Sequence, residues 1–319
     1  MPSLVTGATG LVGFHIVEAL LRAGDRPRVL VRNPDRARAL FGESVELVLG
    51  DVTDEATVLA ALPGVDTVFH VAGHPEQWLK DIGAFERVNV GGTRNVVSAC
   101  RRADVQRLVY TSTIDVFEAA HGKRFNEDVL ATQPKGTPYE RSKQKADQVV
   151  AQAVAEGLDA VFIHPAAVYG PGPAQSRGIN DFVKDLKAGK IPALLPGGMP
   201  VVFASDVGEA QVRASRRACA GDRFILSERF VTLRDLAVAA TAVLGISRVP
   251  MVMPLKLARA MSAVTEAAAN LVGRPPLIPA GQLHFLQWGA IPDAQRARQK
   301  LGIEFTTLDA GLAALVASW

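Results

Sequence analysis

The chain has 319 residues, 48% hydrophobic and 21% charged, which excludes a disordered or collagen-like protein. A net charge of +3, evenly spread, excludes a nucleic-acid footprint and points to a small-molecule partner. This length is more than one core usually supports, so a large domain with a smaller companion lobe is expected.

Cys100 and Cys219 lack close companions and C-x-x-C spacing, so neither a disulfide framework nor a metal site is expected, and a reducing cytoplasm fits. Met1-Pro2-Ser3-Leu4-Val5 runs directly into a glycine motif, so no signal peptide is expected. The apolar stretch 251–272 is broken by Lys256, Arg259 and Glu266 and reads as an amphipathic helix, so no membrane partner is expected.

Along the first half, short β-branched runs at residues 4–5, 28–31, 45–49, 67–71, 108–112 and 161–163 alternate with helical patterns. That alternation predicts an α/β fold with a doubly wound parallel sheet. Leu11, Phe14, Val17, Leu20 and Leu21 recur at helical spacing and should face it, with Gly24-Asp25 ending the helix. Residues 1–165 form the expected main domain. After Pro165, Tyr169-Gly170-Pro171-Gly172-Pro173 and further Pro and Gly mark irregular chain, so residues 166–319 should form mainly a smaller lobe. A strand and helix near 201–226 are expected to rejoin the sheet, making that lobe discontinuous.

Thr6-Gly7-Ala8-Thr9-Gly10-Leu11-Val12-Gly13 lies between the first strand and first helix, where a dinucleotide-binding turn belongs in a Rossmann-type fold. Gly7 permits the tight turn, Gly10 the approach of a pyrophosphate, and Gly13 close packing of helix on strand. The helix N-terminus offers amide groups to the phosphates. Arg32 ends the second strand where a ribose-reading carboxylate would stand for NAD(H); its guanidinium suits a 2′-phosphate, so NADP(H) is favoured. Asp51-Val52 and Val71-Ala72-Gly73 end the third and fourth strands, at the edge where ligands bind, with Asp51 reaching the adenine. His70 is read as a packing residue.

Tyr139 and Lys143, four apart on a helix opened by Pro138, share one face. A nearby ammonium favours the phenolate, and bringing a tyrosine from ~10 to ~7–8 corresponds to roughly 3–4 kcal/mol. Thr111-Ser112-Thr113 closes the fifth strand and would place a hydroxyl beside the phenol.

With these motifs, Val88-Asn89-Val90-Gly91-Gly92-Thr93 and Val168-Tyr169-Gly170-Pro171-Gly172, nearly the whole chain resembles the extended short-chain dehydrogenases/reductases. The resemblance is strongest to the dihydroflavonol-reductase-like branch, on Val31-Arg32, Tyr139-x-x-Ser142-Lys143 and Ser205-Asp206-Val207. It implies Tyr139 as general acid/base, Lys143 as the residue that tunes it and holds the nicotinamide ribose, Thr113 as the catalytic hydroxyl, and Asn89 as support for the site. Pro165-Ala166 is implied to contact the carboxamide, with Thr111 and Val168 also at the cofactor. His164 departs from the arginine of many members and leaves the pocket wall open. Relatives often dimerise through helices at the places of 89–103 and 139–156, so the resemblance offers a homodimer while the residues themselves leave the oligomeric state open.

The apolar run Met199-Pro200-Val201-Val202-Phe203 stands where sugar-nucleotide enzymes often carry an Arg-Asp pair, which favours a reductase or dehydrogenase of a less charged carbonyl or alcohol. A nucleotide-sugar epimerase or dehydratase is the alternative, and a non-enzymatic NADP sensor a third. Trp78, Phe85, Tyr169, Phe182 and Trp288 are candidate pocket residues, although such side chains usually serve packing.

Overall fold

The computed structural model describes residues 2–173 and 178–319, with only the backbone of Asn270. The strands are β1 (Ser3–Thr6), β2 (Arg28–Val31), β3 (Glu46–Leu49), β4 (Thr67–His70), β5 (Arg107–Thr111), β6 (Arg124–Phe125), β7 (Ala160–Pro165), β8 (Ala167–Tyr169), β9 (Gly198–Phe203), β10 (Arg223–Leu226), β11 (Arg229–Thr232) and β12 (Ile291–Pro292). Seven of them form one parallel sheet in the order β10-β7-β5-β4-β1-β2-β3. The doubly wound sheet expected from the alternation of elements is therefore present, with its change of winding direction between β1 and β4.

Burial on both faces explains why these strands read as continuous apolar runs. One face is covered by α1 (Leu11–Arg22), α2 (Pro34–Phe41) and α7 (Ala204–Arg217), the other by α3 (Glu55–Ala60), α4 (Gly92–Arg102) and α5 (Pro138–Ala155). On the first face, α1 and α7 cross so closely that a Cβ on Gly208 would collide with the His15 backbone. His15 is consequently buried, with its Nε2 donating to the Pro171 carbonyl at 2.8 Å, a role its sequence position does not announce.

The smaller lobe has a three-stranded sheet, β11-β9-β8, packed by α6 (Ile179–Lys187), α8 (Leu233–Leu244) and α11 (Leu308–Ala317). Next to it stand α9 (Leu255–Val272) and α10 (Ala280–Trp288). β12 pairs with β6 and ties this lobe to the chain that follows β5. β10 lies at the edge of the main sheet, beside β7.

Two local features differ from the sequence expectations. The helix carrying Asn89 starts earlier than Val88, with a π-helical stretch, Phe85–Gly91, running into α4. The fifth strand ends at Thr111, so Ser112 and Thr113 lie beyond it, and Thr113 caps a short 3-10 turn at Ile114–Val116.

Candidate active site

At the C-terminal edge of the sheet, Gly7 adopts φ +72°, and a Cβ there would lie 2.7 Å from the Ala72 amide nitrogen. No side chain fits that approach. Gly13 is equally constrained, since its Cβ would overlap the Gly7 carbonyl. Gly10 donates to that carbonyl at 3.0 Å and precedes Leu11 and Val12 as an N-cap with no side-chain hydrogen bond. Gly10 brings no side chain of its own to the cap of α1, as the close approach of an anion requires.

Thr6 and His70 lace this turn to the neighbouring strand. The Thr93 hydroxyl donates to the Asn89 carbonyl at 2.6 Å, so it must accept from His70 Nε2 at 3.1 Å. His70 Nδ1 then accepts from the Thr6 hydroxyl at 2.9 Å, and Thr6 Oγ1 accepts the amides of Val71 and Ala72. Burial pushes the His70 imidazole down to about 3, which keeps this neutral tautomer in place.

Asn89 is a second tie. Its Oδ1 accepts from the His74 amide at 2.7 Å, while Nδ2 donates to the His74 carbonyl and, at 2.9 Å, to Ser142 Oγ. Ser142 in turn donates to the Tyr139 carbonyl at 2.7 Å. A Cβ on Gly73 would press on Asn89 Oδ1 at 3.0 Å. The segment after β4 is in this way locked to the first turn of α5.

That first turn is fixed from the sequence side by a capping box. Thr137 accepts from the Glu140 amide, Glu140 accepts from the Thr137 amide at 2.7 Å, and Pro138 occupies the first helical position. Tyr139 and Lys143 both face inward, Tyr139 buried and Lys143 half-buried, and the Phe85 ring stands edge-on to Tyr139 with centroids 6.2 Å apart. Lys143 Nζ donates to the Thr111 carbonyl at 2.8 Å and lies 5.0 Å from the Tyr110 ring centroid. Burial lowers this lysine to about 8, against the opposing pull of Asp147 and Asp115.

The tyrosine differs from the electrostatic expectation. Burial, and then the Asp115 carboxylate, push the phenol upward, while the Thr113 hydroxyl within hydrogen-bonding reach pulls it down. Lys143 is directed at the Thr111 carbonyl, so in the chain alone the phenol is held in its protonated, donor form.

Below Thr113 lies a buried polar chain that the sequence reading missed. Ser112 donates to Asp147 at 2.7 Å, and Asp147 pairs with Arg223 at 2.8 Å. Arg223 reaches His164 Nε2 at 3.2 Å, and His164 Nδ1 meets the Thr113 carbonyl at 3.1 Å. A carbonyl accepts only, so Nδ1 carries the proton and Nε2 accepts from the guanidinium. Burial and Arg223 hold His164 well below its usual range. His164 is fully buried, so it forms part of the floor and not the pocket wall.

The remaining candidates fall at the same edge or elsewhere. Arg32 is exposed, with its guanidinium 4.0 Å from Asp51, whose other oxygen accepts from the Thr53 amide at 2.9 Å. Val52 is buried, and its carbonyl accepts from Asn95. Thr111 Oγ1 bonds Gln211, Pro165 ends β7, Ala166 donates to the Leu226 carbonyl, and Val168 lies half-buried in β8. Thr9 lies in the glycine turn.

Tyr169 and Phe182 pack in the core of the small lobe, away from Tyr139. Trp288 packs against Phe125 and donates to the Ala119 carbonyl, and Trp78 is half-buried in the segment after β4. The Met199-to-Phe203 run belongs to β9, where Val201 and Val202 are fully buried. Its apolar character is explained by core packing, and it says nothing of the substrate.

The family model described as the NAD dependent epimerase/dehydratase family matches residues 3–226. The chain is 29% identical to sterol demethylase protein B of Methylococcus capsulatus, over 99% of this chain and 98% of that one. It is also 29% identical to a Synechocystis protein provisionally named dihydroflavonol 4-reductase, over 97% and 92% of the two chains. The crystal structure of gox2253 superposes with a TM-score of 0.86 at 27% identity, over 99% of this chain and 97% of that one. The protein belongs to the NAD dependent epimerase/dehydratase family, within the extended short-chain dehydrogenases/reductases, and is an NAD(P)-dependent oxidoreductase.

Proposed function

We propose that the chain is an NADP(H)-dependent reductase or dehydrogenase acting on a small, weakly charged carbonyl or alcohol. The convergence of Tyr139, Lys143 and Thr113 at the sheet edge that also carries the glycine turn supports this reading most directly. The names of two relatives, a sterol-processing protein and a dihydroflavonol reductase, favour an apolar substrate.

The residues present fit a dinucleotide. Gly7 and Gly13 occupy positions where any Cβ is blocked, and Gly10 brings no side chain of its own to the cap of α1. The Arg32 side chain is 70% exposed and stands beside Asp51, so a guanidinium is available to a 2′-phosphate. When bound, the nicotinamide supplies or takes up hydride at the substrate carbon.

The chain's own residues handle the proton. A buried phenol held protonated is ready to donate to a carbonyl oxygen, which is the need of reduction. Thr113 adds a hydroxyl at the same place, where hydrogen-bond donation stabilises negative charge developing on that oxygen. Lys143 uses one N–H on the Thr111 carbonyl and has others to offer a ribose. The floor of Ser112, Asp147, Arg223 and His164 fixes the backbone from which Thr113 projects.

Absorbance at the reduced-nicotinamide band, followed with a panel of aldehydes, ketones and nucleotide sugars, tests the proposal. Consumption of NADPH with equal formation of alcohol is expected. Isomerisation or dehydration of a nucleotide sugar with no net change in the dinucleotide would overturn it.

A further inference from the structure

Asp115 lies on the 3-10 turn just after β5 and is 4% exposed. Its Oδ2 accepts from the Thr113 hydroxyl at 3.0 Å, and its own amide donates back to Thr113 Oγ1 at 3.3 Å. Its other oxygen, Oδ1, is sealed from solvent with no hydrogen-bond partner among the described residues. Several groups face this carboxyl: Tyr139, Glu140 and Lys143 on α5, and Lys135 in the chain before it. His284 on α10 approaches Glu140 at 3.6 Å.

A threonine hydroxyl has one proton and two acceptor positions. The Asp115 amide occupies one acceptor position. When Asp115 is ionised, the hydroxyl proton is drawn to the carboxylate, and Thr113 offers only its remaining lone pair to the site. When Asp115 is protonated, its own O–H fills that lone pair, and the threonine proton turns towards the site.

We propose that Asp115 is a positioning residue that sets the direction of the Thr113 hydrogen bond, offering a donor to a carbonyl when protonated and an acceptor to an alcohol when ionised. The proposal rests on the reading of Thr113 and Tyr139 as the groups that meet the substrate oxygen. Both states are within reach near neutrality, because burial and the negative Glu140 push the carboxyl up to about 7 against Thr113, Lys135 and Lys143. A fixed hydroxyl acceptor would call for a carboxylate that remains ionised throughout.

Carbon-13 NMR of the full chain with labelled aspartate carboxyls reads this relationship without turnover. A carboxyl titrating near pH ~7 is expected, identified by its loss in Asp115→Asn. In Thr113→Val that midpoint should rise by about one pH unit, because a donor to the carboxylate is gone, while Thr113→Ser should leave it in place. A carboxyl titrating near ~4, or one indifferent to Thr113→Val, overturns the proposal.

Kinetics complete the test with whichever ketone the panel finds active. Reduction by the wild type should decline above pH ~7, and Asp115→Asn, whose amide donates permanently, should lack that inflection and lose at least about tenfold in alcohol oxidation. An inflection retained in Asp115→Asn also overturns the proposal. Turnover without the NMR coupling sinks the inference and spares the functional reading; coupling without turnover supports the hydrogen-bond assignment and sinks that reading.

Discussion

Arg223, on the outermost strand of the parallel sheet, lies 2.8 Å from Asp147 on α5 and completes the buried floor beneath Thr113. Both side chains are almost sealed, at 11% and 4% exposure, so neither tolerates loss of the other. Arg223→Met is expected to reduce stability by about 3–5 kcal/mol in urea unfolding, because it strands a buried carboxylate. The double variant Asp147→Leu with Arg223→Met should recover most of that loss. Near-neutral single variants would show that the pair does not hold the floor.

Asn89 gives a second prediction. Replacing it with alanine frees the His74 amide and the Ser142 hydroxyl together, and so unties the segment after β4 from the start of α5. A stability loss of about 1–3 kcal/mol is expected, with a fall in kcat of at least about tenfold. Thermal melting and steady-state kinetics would report both, and an unaltered kcat would remove Asn89 from the support of the site.

How much of this was legible beforehand depended on how local each feature is. The glycine turn was readable because its constraints lie within a few residues of chain, and Tyr139 and Lys143 because helical spacing alone puts them on one face. The floor was not readable. Arg223 meets His164 only because β10 pairs with β7, a contact spanning 59 positions, and that register also takes His164 away from the pocket. Met199-to-Phe203 misled for a related reason, since an apolar run reads alike whether it lines a pocket or packs as a core strand. The tyrosine's electrostatics depended on Asp115, which pattern reading passed over, and on the direction of the Lys143 side chain.

His70 leads to a pH prediction. Its folded-state value is depressed from 6.5 to about 3, so the unfolded chain binds the extra proton. Its contribution is therefore fully present above pH 6.5 and is lost as pH falls towards about 3. Buried carboxyls such as Asp115 and Asp147 are shifted upward and act in the opposite sense, so a difference measurement is needed. The stability advantage of the wild type over His70→Gln should shrink by about 2 kcal/mol between pH ~6.5 and ~5. A constant advantage across that window would contradict the neutral assignment.

The proposed preference for NADP(H) rests on Arg32. Reversing its charge in Arg32→Glu should raise the KM for NADPH by about a hundredfold or more and leave that for NADH little changed. Fluorescence titration of each reduced dinucleotide would check the same point without a substrate. Equal effects on the two would remove the assignment to a 2′-phosphate.

The central claim is that the Tyr139 phenol moves the proton at a site built to hold a dinucleotide. Tyr139→Phe, measured for NADPH binding by calorimetry and for carbonyl reduction in the same preparation, tests it most directly. Binding should stay within about threefold of the wild type while turnover falls by roughly 10²–10⁴. Turnover at the wild-type rate would contradict the account.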